Sequence, residues 1–289
     1  MKKILSPLRY PGSKIKLVKY LSKVLEFNHF EPKILVEPFV GGGSVFLNFI
    51  ENGWVERVII GDKDKLVFSF WKVLFENPQH LIKFVKKIKV NTKNFAFYKN
   101  VALNESRYSE NKLAEACLFL NRTSFSGILA NSAGPIGGKK QESEYKINCR
   151  FNKKIIIQKI EKISSFAPMV TVLPFDWNRT INYALRNNSK AKLFFYLDPP
   201  FFQKADKLYR HYFEKKDLHQ SLNRKLKSLN HKWVLSYDRA PEIKEMYKPF
   251  IQRSFAFPYS INSPARRIEK EYFITSKNLK RPSKNFLQK

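Results

Sequence analysis

Short apolar runs alternate with longer amphipathic ones along this chain, and the rhythm is heard twice. Residues 33–37 form an apolar run closed by Pro38 and the cluster Gly41-Gly42-Gly43, after which residues 44–50 carry helical spacing. Residues 57–61 predict a second strand ending in Asp62, and residues 66–75 another apolar helix. The pattern resumes with strands over 170–173, 192–197 and 232–236, and with helices over 177–186 and 214–229 between them. Such alternation predicts βαβ units, and so an α/β fold with a doubly wound, mostly parallel sheet. Residues 77–166 break the rhythm. Helical spacing is fair there over 111–120 and 153–163, whereas 121–150 is rich in Gly, Ser, Asn and Lys. We therefore expect one domain built from 1–76 and 167–289, with 77–166 as an inserted, mainly helical subdomain whose long polar loop is functional. The basic, polar stretch 277–289 predicts a frayed end.

Composition narrows the class. A chain of 289 residues, 43% hydrophobic and 15% aromatic, can bury a sizeable core, and no stretch offers the ~18 uninterrupted apolar residues of a membrane span. The charged N-terminus has no apolar run behind it, so a cytoplasmic protein is expected. Cys117 and Cys149 sit in no metal-ligand or redox spacing and read as buried, reduced thiols; no metal site is expected. Against 24 Asp and Glu stand 54 Lys and Arg, a formal net charge of +30. An excess of that size favours a polyanionic partner, with nucleic acid ahead of a membrane surface, although lysine-rich solvation of the surface would also produce it.

The run Phe194-Phe195-Tyr196-Leu197-Asp198-Pro199-Pro200-Phe201 carries the first chemical signal. An apolar strand empties into a carboxylate, two prolines and an aromatic ring, which suits methyl transfer to the exocyclic amine of a planar base. Such an amine is a poor nucleophile, because its lone pair is delocalised into the ring. The Asp198 carboxylate and the main-chain carbonyl of Pro199 can accept its two N–H bonds, Phe201 offers a stacking face, and Pro199-Pro200 fixes the turn in advance. The same residues also suit a plain acidic turn at a strand end.

A second signal lies earlier. Phe39-Val40-Gly41-Gly42-Gly43-Ser44 follows a strand and opens a helix, so its backbone can approach a ligand lying over the end of that strand. It lacks the Gly-Lys-Ser/Thr ending of a phosphate loop, and Phe46 stands where the dinucleotide fingerprint requires glycine. Asp62 lies 21 residues after Gly41 at the tip of the next strand, where it can take both hydroxyls of a ribose. A nucleoside-bearing cofactor without a pyrophosphate fits, and S-adenosylmethionine is such a molecule. A glycine turn needed only for packing is the alternative.

In this order along the chain, Pro7-Leu8-Arg9-Tyr10-Pro11-Gly12-Ser13-Lys14, Glu37-Pro38-Phe39-Val40-Gly41-Gly42-Gly43-Ser44-Val45-Phe46, Asn121-Arg122-Thr123-Ser124-Phe125-Ser126-Gly127 and Asp198-Pro199-Pro200-Phe201 resemble the Dam-like family of DNA adenine-N6 methyltransferases, over nearly the whole chain. The resemblance implies a Rossmann-like methyltransferase fold in which 77–166 recognises DNA. It implies transfer of a methyl group from S-adenosyl-L-methionine to N6 of a flipped-out adenine in duplex DNA, by a restriction-modification or orphan enzyme. Tyr10 and Lys14 match the motif that closes over the cofactor, Asp62 the ribose-binding acid, and Asp198 the acid serving cofactor and target amine. Glu37, Phe39, Gly41, Gly43 and Asp176 complete the expected cofactor contacts, with Asp176 beside the adenine. Asn121, Arg122, Ser126, Asn131, Lys139, Lys140, Arg266 and Arg267 are the expected DNA contacts. Double-stranded DNA is the expected partner, and a cognate restriction endonuclease a second one. No metal is implied, since the sulfonium already activates its methyl group. Phe201 stands where the family more often has tyrosine. The family's usual Phe-Asn-Gly-Leu with a nearby arginine is replaced by Phe125-Ser126-Gly127-Ile128, so the GATC target of the best-known members is not carried over. Related Asn/Asp-Pro-Pro-aromatic loops also serve RNA adenine and protein glutamine, and both stay open as acceptors; a basic DNA-binding protein with a decayed enzyme fold is the non-catalytic alternative.

Overall fold

Period-two alternation decides which way each strand residue faces. A computed structural model describes residues 2–9, 15–203, 210, 216–259, 267–280 and 282. Its strands are β1 (Ile34–Glu37), β2 (Arg57–Gly61), β3 (Val170–Leu173), β4 (Leu193–Leu197), β5 (Lys232–Asp238), β6 (Ile251–Tyr259) and β7 (Arg267–Thr275). They form one sheet in the order β3-β2-β1-β4-β5-β7-β6, parallel from β3 to β5, with β7 antiparallel to both of its neighbours. Leu35, Phe194, Tyr196 and Val234 enter the core on one face, and Ile34, Val36, Phe195, Leu197, Trp233 and Leu235 enter the core on the other. Helices cover both faces, which is why β1 and β4 are apolar throughout. This is the doubly wound, mostly parallel α/β sheet that the alternation predicts.

The helices are α1 (Ile15–Phe27), α2 (Ser44–Glu51), α3 (Lys65–Glu76), α4 (Pro78–Lys87), α5 (Thr92–Leu103), α6 (Glu110–Thr123), α7 (Lys153–Ser164), α8 (Trp177–Asn187), α9 (Lys216–Ser228) and α10 (Pro241–Met246). Residues 77–166 hold α4 to α7, and their buried side chains, among them Leu81, Tyr98, Leu118 and Ile160, share one core with Phe46, Phe70 and Trp71 of α2 and α3. The sequence pattern did not single out α1, α4, α5, α10, β6 or β7. The last two form an antiparallel pair at the sheet edge, where one polar face is tolerated and the apolar run that marks a buried strand is not required.

Two expectations are corrected. The stretch after β7 is anchored as far as residue 280: Leu279 is fully buried, and Lys280 and Asn28 exchange two hydrogen bonds of 2.7 and 2.9 Å. Cys149 is exposed, because it lies in the polar loop of the insert, whereas Cys117 is buried on α6.

Gly43 opens α2 in a left-handed conformation (φ +68°), and a Cβ built there would lie 2.4 Å from the Phe46 ring and 2.7 Å from that of Trp71. Gly43→Ala therefore combines backbone strain with a clash and lowers stability by about 2 kcal/mol or more, as read from the urea midpoint.

Candidate active site

Five parallel strands deliver their C-terminal ends to one edge of the sheet, and acidic residues stand there on all of them. Glu37 closes β1, Asp62 follows β2, Asp176 caps α8 just beyond β3, Asp198 follows β4 and Asp238 closes β5. The register pairs Val36 with Phe195 and Leu197 with Leu235, which makes neighbours of the ends of β1, β4 and β5. In doubly wound sheets ligands bind at this edge.

The glycine turn is tied to the tip of β2. Gly41 (φ +44°) and Gly43 let the chain reverse tightly, so that Val40 N donates to Gly61 O at 3.0 Å and Trp71 Nε1 donates to Gly41 O at 2.9 Å. Asp62 accepts from Gly41 N and from Asp64 N, one at each carboxylate oxygen and both at 3.0 Å. Burial, then the neighbouring Asp64 charge, raise the Asp62 carboxyl to about 7 against the lowering pull of those two N–H groups. Glu37 is buried beneath the turn and accepts from Phe46 N at 3.0 Å. Burial, together with the nearby Asp198, pushes its carboxyl well above the usual range. Phe39 is half-buried beside the second core, and Asp176 accepts from Arg179 N at 2.9 Å.

The turn after β4 is held from the neighbouring strand. Ser236 Oγ on β5 donates to Asp198 Oδ1 at 2.6 Å and lies 2.9 Å from the Tyr196 hydroxyl. Further on, Phe202 N and Gln203 N donate to the two oxygens of Asp238 at 2.7 and 2.9 Å. Pro199 is buried, and Phe201 is only 8% exposed, so its ring is turned inward and stacking on a base requires its neighbours to part. Arg210 binds Asp64 at 2.9 Å, Glu105 at 2.9 Å and the carbonyl of Ala102 at 2.6 Å, joining the chain beyond this turn to α3 and the insert.

The insert meets the N-terminal segment at a cluster of cations. Arg9 and Arg122 each bury a guanidinium nitrogen that has no hydrogen-bond partner. Burial lowers both: Arg122 falls to about 10, with Arg9 and Arg150 adding repulsion, and Arg9 falls with Arg150 adding to it. Lys159 is lowered by burial and by Arg122, and donates to Ser6 O at 3.0 Å. The expectation that Asn121 touches DNA is corrected here. It is fully buried, donating to Arg9 O at 2.8 Å and to Gly127 O at 3.0 Å, and so latches the insert to the N-terminal segment. Ser126 is half-buried with φ +55°, and its neighbour Phe125 is exposed. Asn131, Lys139 and Lys140 are exposed. Tyr10, Lys14 and Arg266 lie outside the described residues, and Arg267 opens β7.

A family model for D12 class N6 adenine-specific DNA methyltransferases matches residues 10–280. The chain belongs to this family. It is 31% identical over 145 residues to a DNA N-6-adenine-methyltransferase of Escherichia phage P1, covering 48% of this chain and 18% of that protein. It is 25% identical over 207 residues to the type II methyltransferase M.MjaIII of Methanocaldococcus jannaschii, covering 67% and 68%. It is 31% identical over 159 residues to a DNA adenine methylase of Vibrio cholerae, covering 53% and 46%. The chain thus spans less than half the length of two of these three relatives.

Family motifs mark Glu37, Asp62 and the turn after β4, but they do not reach Arg150, Lys159, Ser236 or Asp238. Those four act through contacts made only when distant segments meet. Among the described residues no helix is long and apolar enough to cross a membrane, and no group of three or more His, Cys, Asp or Glu is placed to hold a metal ion.

An acid whose carboxyl is raised on folding contributes stability that is present below its unfolded value, near 3.8, and is lost as pH rises through about 7. Carboxyl NMR of Asp62 should show a midpoint near 7, and Asp62→Asn should flatten the fall in stability between about pH 4 and 7.

Proposed function

We propose that the protein transfers the methyl group of S-adenosyl-L-methionine to N6 of adenine in duplex DNA, as a cytoplasmic enzyme acting at a defined site. The observation that carries the DNA reading is the cluster of Arg9, Arg122 and Arg150, with two buried guanidinium nitrogens unpartnered. Such groups are costly to bury unless an anion meets them, and a backbone phosphate supplies both charge and acceptors. Lys139, Lys140 and the basic segment around Arg266 and Arg267 extend the phosphate contacts, and 77–166 is the target-recognition subdomain. The exposed ring of Phe125 is suited to wedge into the stack as the base leaves it, an event that costs about a few kcal/mol.

The acidic edge suits this cofactor. A sulfonium and an ammonium can meet the carboxyl oxygens of Glu37, Asp62 and Asp198, and the raised carboxyls of Glu37 and Asp62 give up their protons more readily beside a cation. S-adenosylmethionine supplies an activated methyl group when bound. In this reading Asp62 takes the ribose hydroxyls, Asp176 borders the adenine, and Tyr10, Lys14, Phe39 and the glycine turn enclose the rest. Asp198 and the carbonyl of Pro199 accept the N–H bonds of the target amine, which keeps its lone pair available as the nitrogen becomes tetrahedral. The likeness to a type II methyltransferase supports a restriction-modification setting with a cognate endonuclease.

With radiolabelled cofactor, label should enter duplex DNA; label entering ribosomal RNA or protein instead would sink this reading. Arg122→Gln and Arg9→Gln should each weaken DNA binding and flatten the plot of log affinity against log salt by about one ion.

A further inference from the structure

Asp198 and Asp238 stand at the two ends of a short circuit that the motif itself does not reveal. The Asp198–Phe201 turn leaves β4, and both of its flanks return to one neighbouring strand. Before the turn, Ser236 Oγ gives its proton to Asp198 Oδ1 at 2.6 Å. After it, the Asp238 carboxylate takes the backbone N–H groups of Phe202 and Gln203. Ser236 and Asp238 are two residues apart on β5, so period two puts them on the same face of the strand. Their own supports are rigid. Ser236 is fully buried between Asp198 and the buried Tyr196 hydroxyl, while β5 is clamped by β4 on one side and β7 on the other, where Ser236 pairs with Phe273 and Asp238 with Glu271.

We propose that Ser236 and Asp238 are positioning residues for methyl transfer, a two-point clamp on β5 that fixes the carboxylate of Asp198 and the exit of the catalytic turn before adenine arrives. The proposal rests on the reading of Asp198–Phe201 as the turn that takes the target amine. Ser236 holds one oxygen of Asp198 and so sets the plane of the carboxylate. Asp238 does the corresponding work for the main chain: with Phe202 N and Gln203 N fixed, the carbonyl of Pro199 and the ring of Phe201 are confined between two anchored points. Preorganisation of this kind acts on the rate of the reacting complex rather than on the affinity of its parts. The charged and titratable groups around the pair are Glu37 from β1, Tyr196 from β4, Tyr237 from β5 and Glu271 from β7.

The test is steady-state kinetics of full-length Ser236→Ala and Asp238→Asn on a duplex substrate, with melting temperatures as the check on folding. Each should lower kcat about 10- to 100-fold while KM for the cofactor and for DNA stays within about threefold. Ser236→Thr, which keeps the hydroxyl, should recover most of the loss. Ser236→Ala should also move the acid limb of the kcat profile to higher pH, since the carboxylate loses a donor; Asp238→Asn should leave that limb where it is. Unchanged kcat in both variants, or a fall that Ser236→Thr does not recover and that appears equally in KM, overturns the clamp. Should Ser236→Ala melt below the assay temperature, Tyr196→Phe carries the test, with a smaller fall in kcat in the same direction expected and no fall counting against the proposal. A wild-type protein inactive on DNA would overturn the proposed function instead, so the two failures are distinguishable.

Discussion

The parallel register of β1, β2, β4 and β5 is the constraint on which the rest depends. Because these strands run in one direction, their last residues stand side by side, and Glu37, Asp62, Asp198 and Asp238 arrive at a single edge although they are spread over some two hundred positions of sequence. Burying carboxyl groups together is unfavourable, and the structure answers with hydrogen bonds: backbone N–H groups for Glu37, Asp62 and Asp238, and a serine hydroxyl for Asp198. What remains is an edge of carboxyl groups, those of Glu37, Asp62 and Asp238 raised by burial, inside a protein of net charge +30. Acids and bases are thus separated in space, with carboxyls at the strand ends and the arginines where the insert meets the N-terminal segment.

That separation matches a reaction with two partners of opposite charge. In the function proposed, the cationic methyl donor lies at the acidic edge and the polyanion at the arginines. The link between the two regions is structural. Asn121 ties the end of α6 to Arg9, and Arg210 ties the chain beyond the Asp198 turn to Asp64 and to the insert. The insert also shares its core with α2 and α3, so the surface proposed to grip DNA and the glycine turn are braced by the same packed side chains.

Much of this architecture was legible in the chain, for a physical reason. Buried parallel strands must be apolar on both faces, so β1 and β4 announce themselves as unbroken runs, and the glycine turn needs conformations that little else adopts. Asp198 was equally visible, because four consecutive residues carry its chemistry. Contacts assembled from afar were not. Ser236 is an ordinary serine in a strand until β4 lies beside it, and Arg150 is one basic residue among many until Arg9 and Arg122 approach. Asn121 misled for the opposite reason: it sits in a motif beside an arginine, yet its amide is used up in holding the chain together. β6 and β7 escaped notice because an antiparallel pair beyond the last parallel strand lies outside the alternation of strand and helix.

Product analysis after incubation of the protein with duplex DNA and S-adenosylmethionine tests the central claim most directly. Digestion to nucleosides and mass spectrometry should find N6-methyldeoxyadenosine with the wild-type chain and none with a folded Asp198→Ala variant. Methylation of another base, or the same yield from Asp198→Ala, would contradict the account.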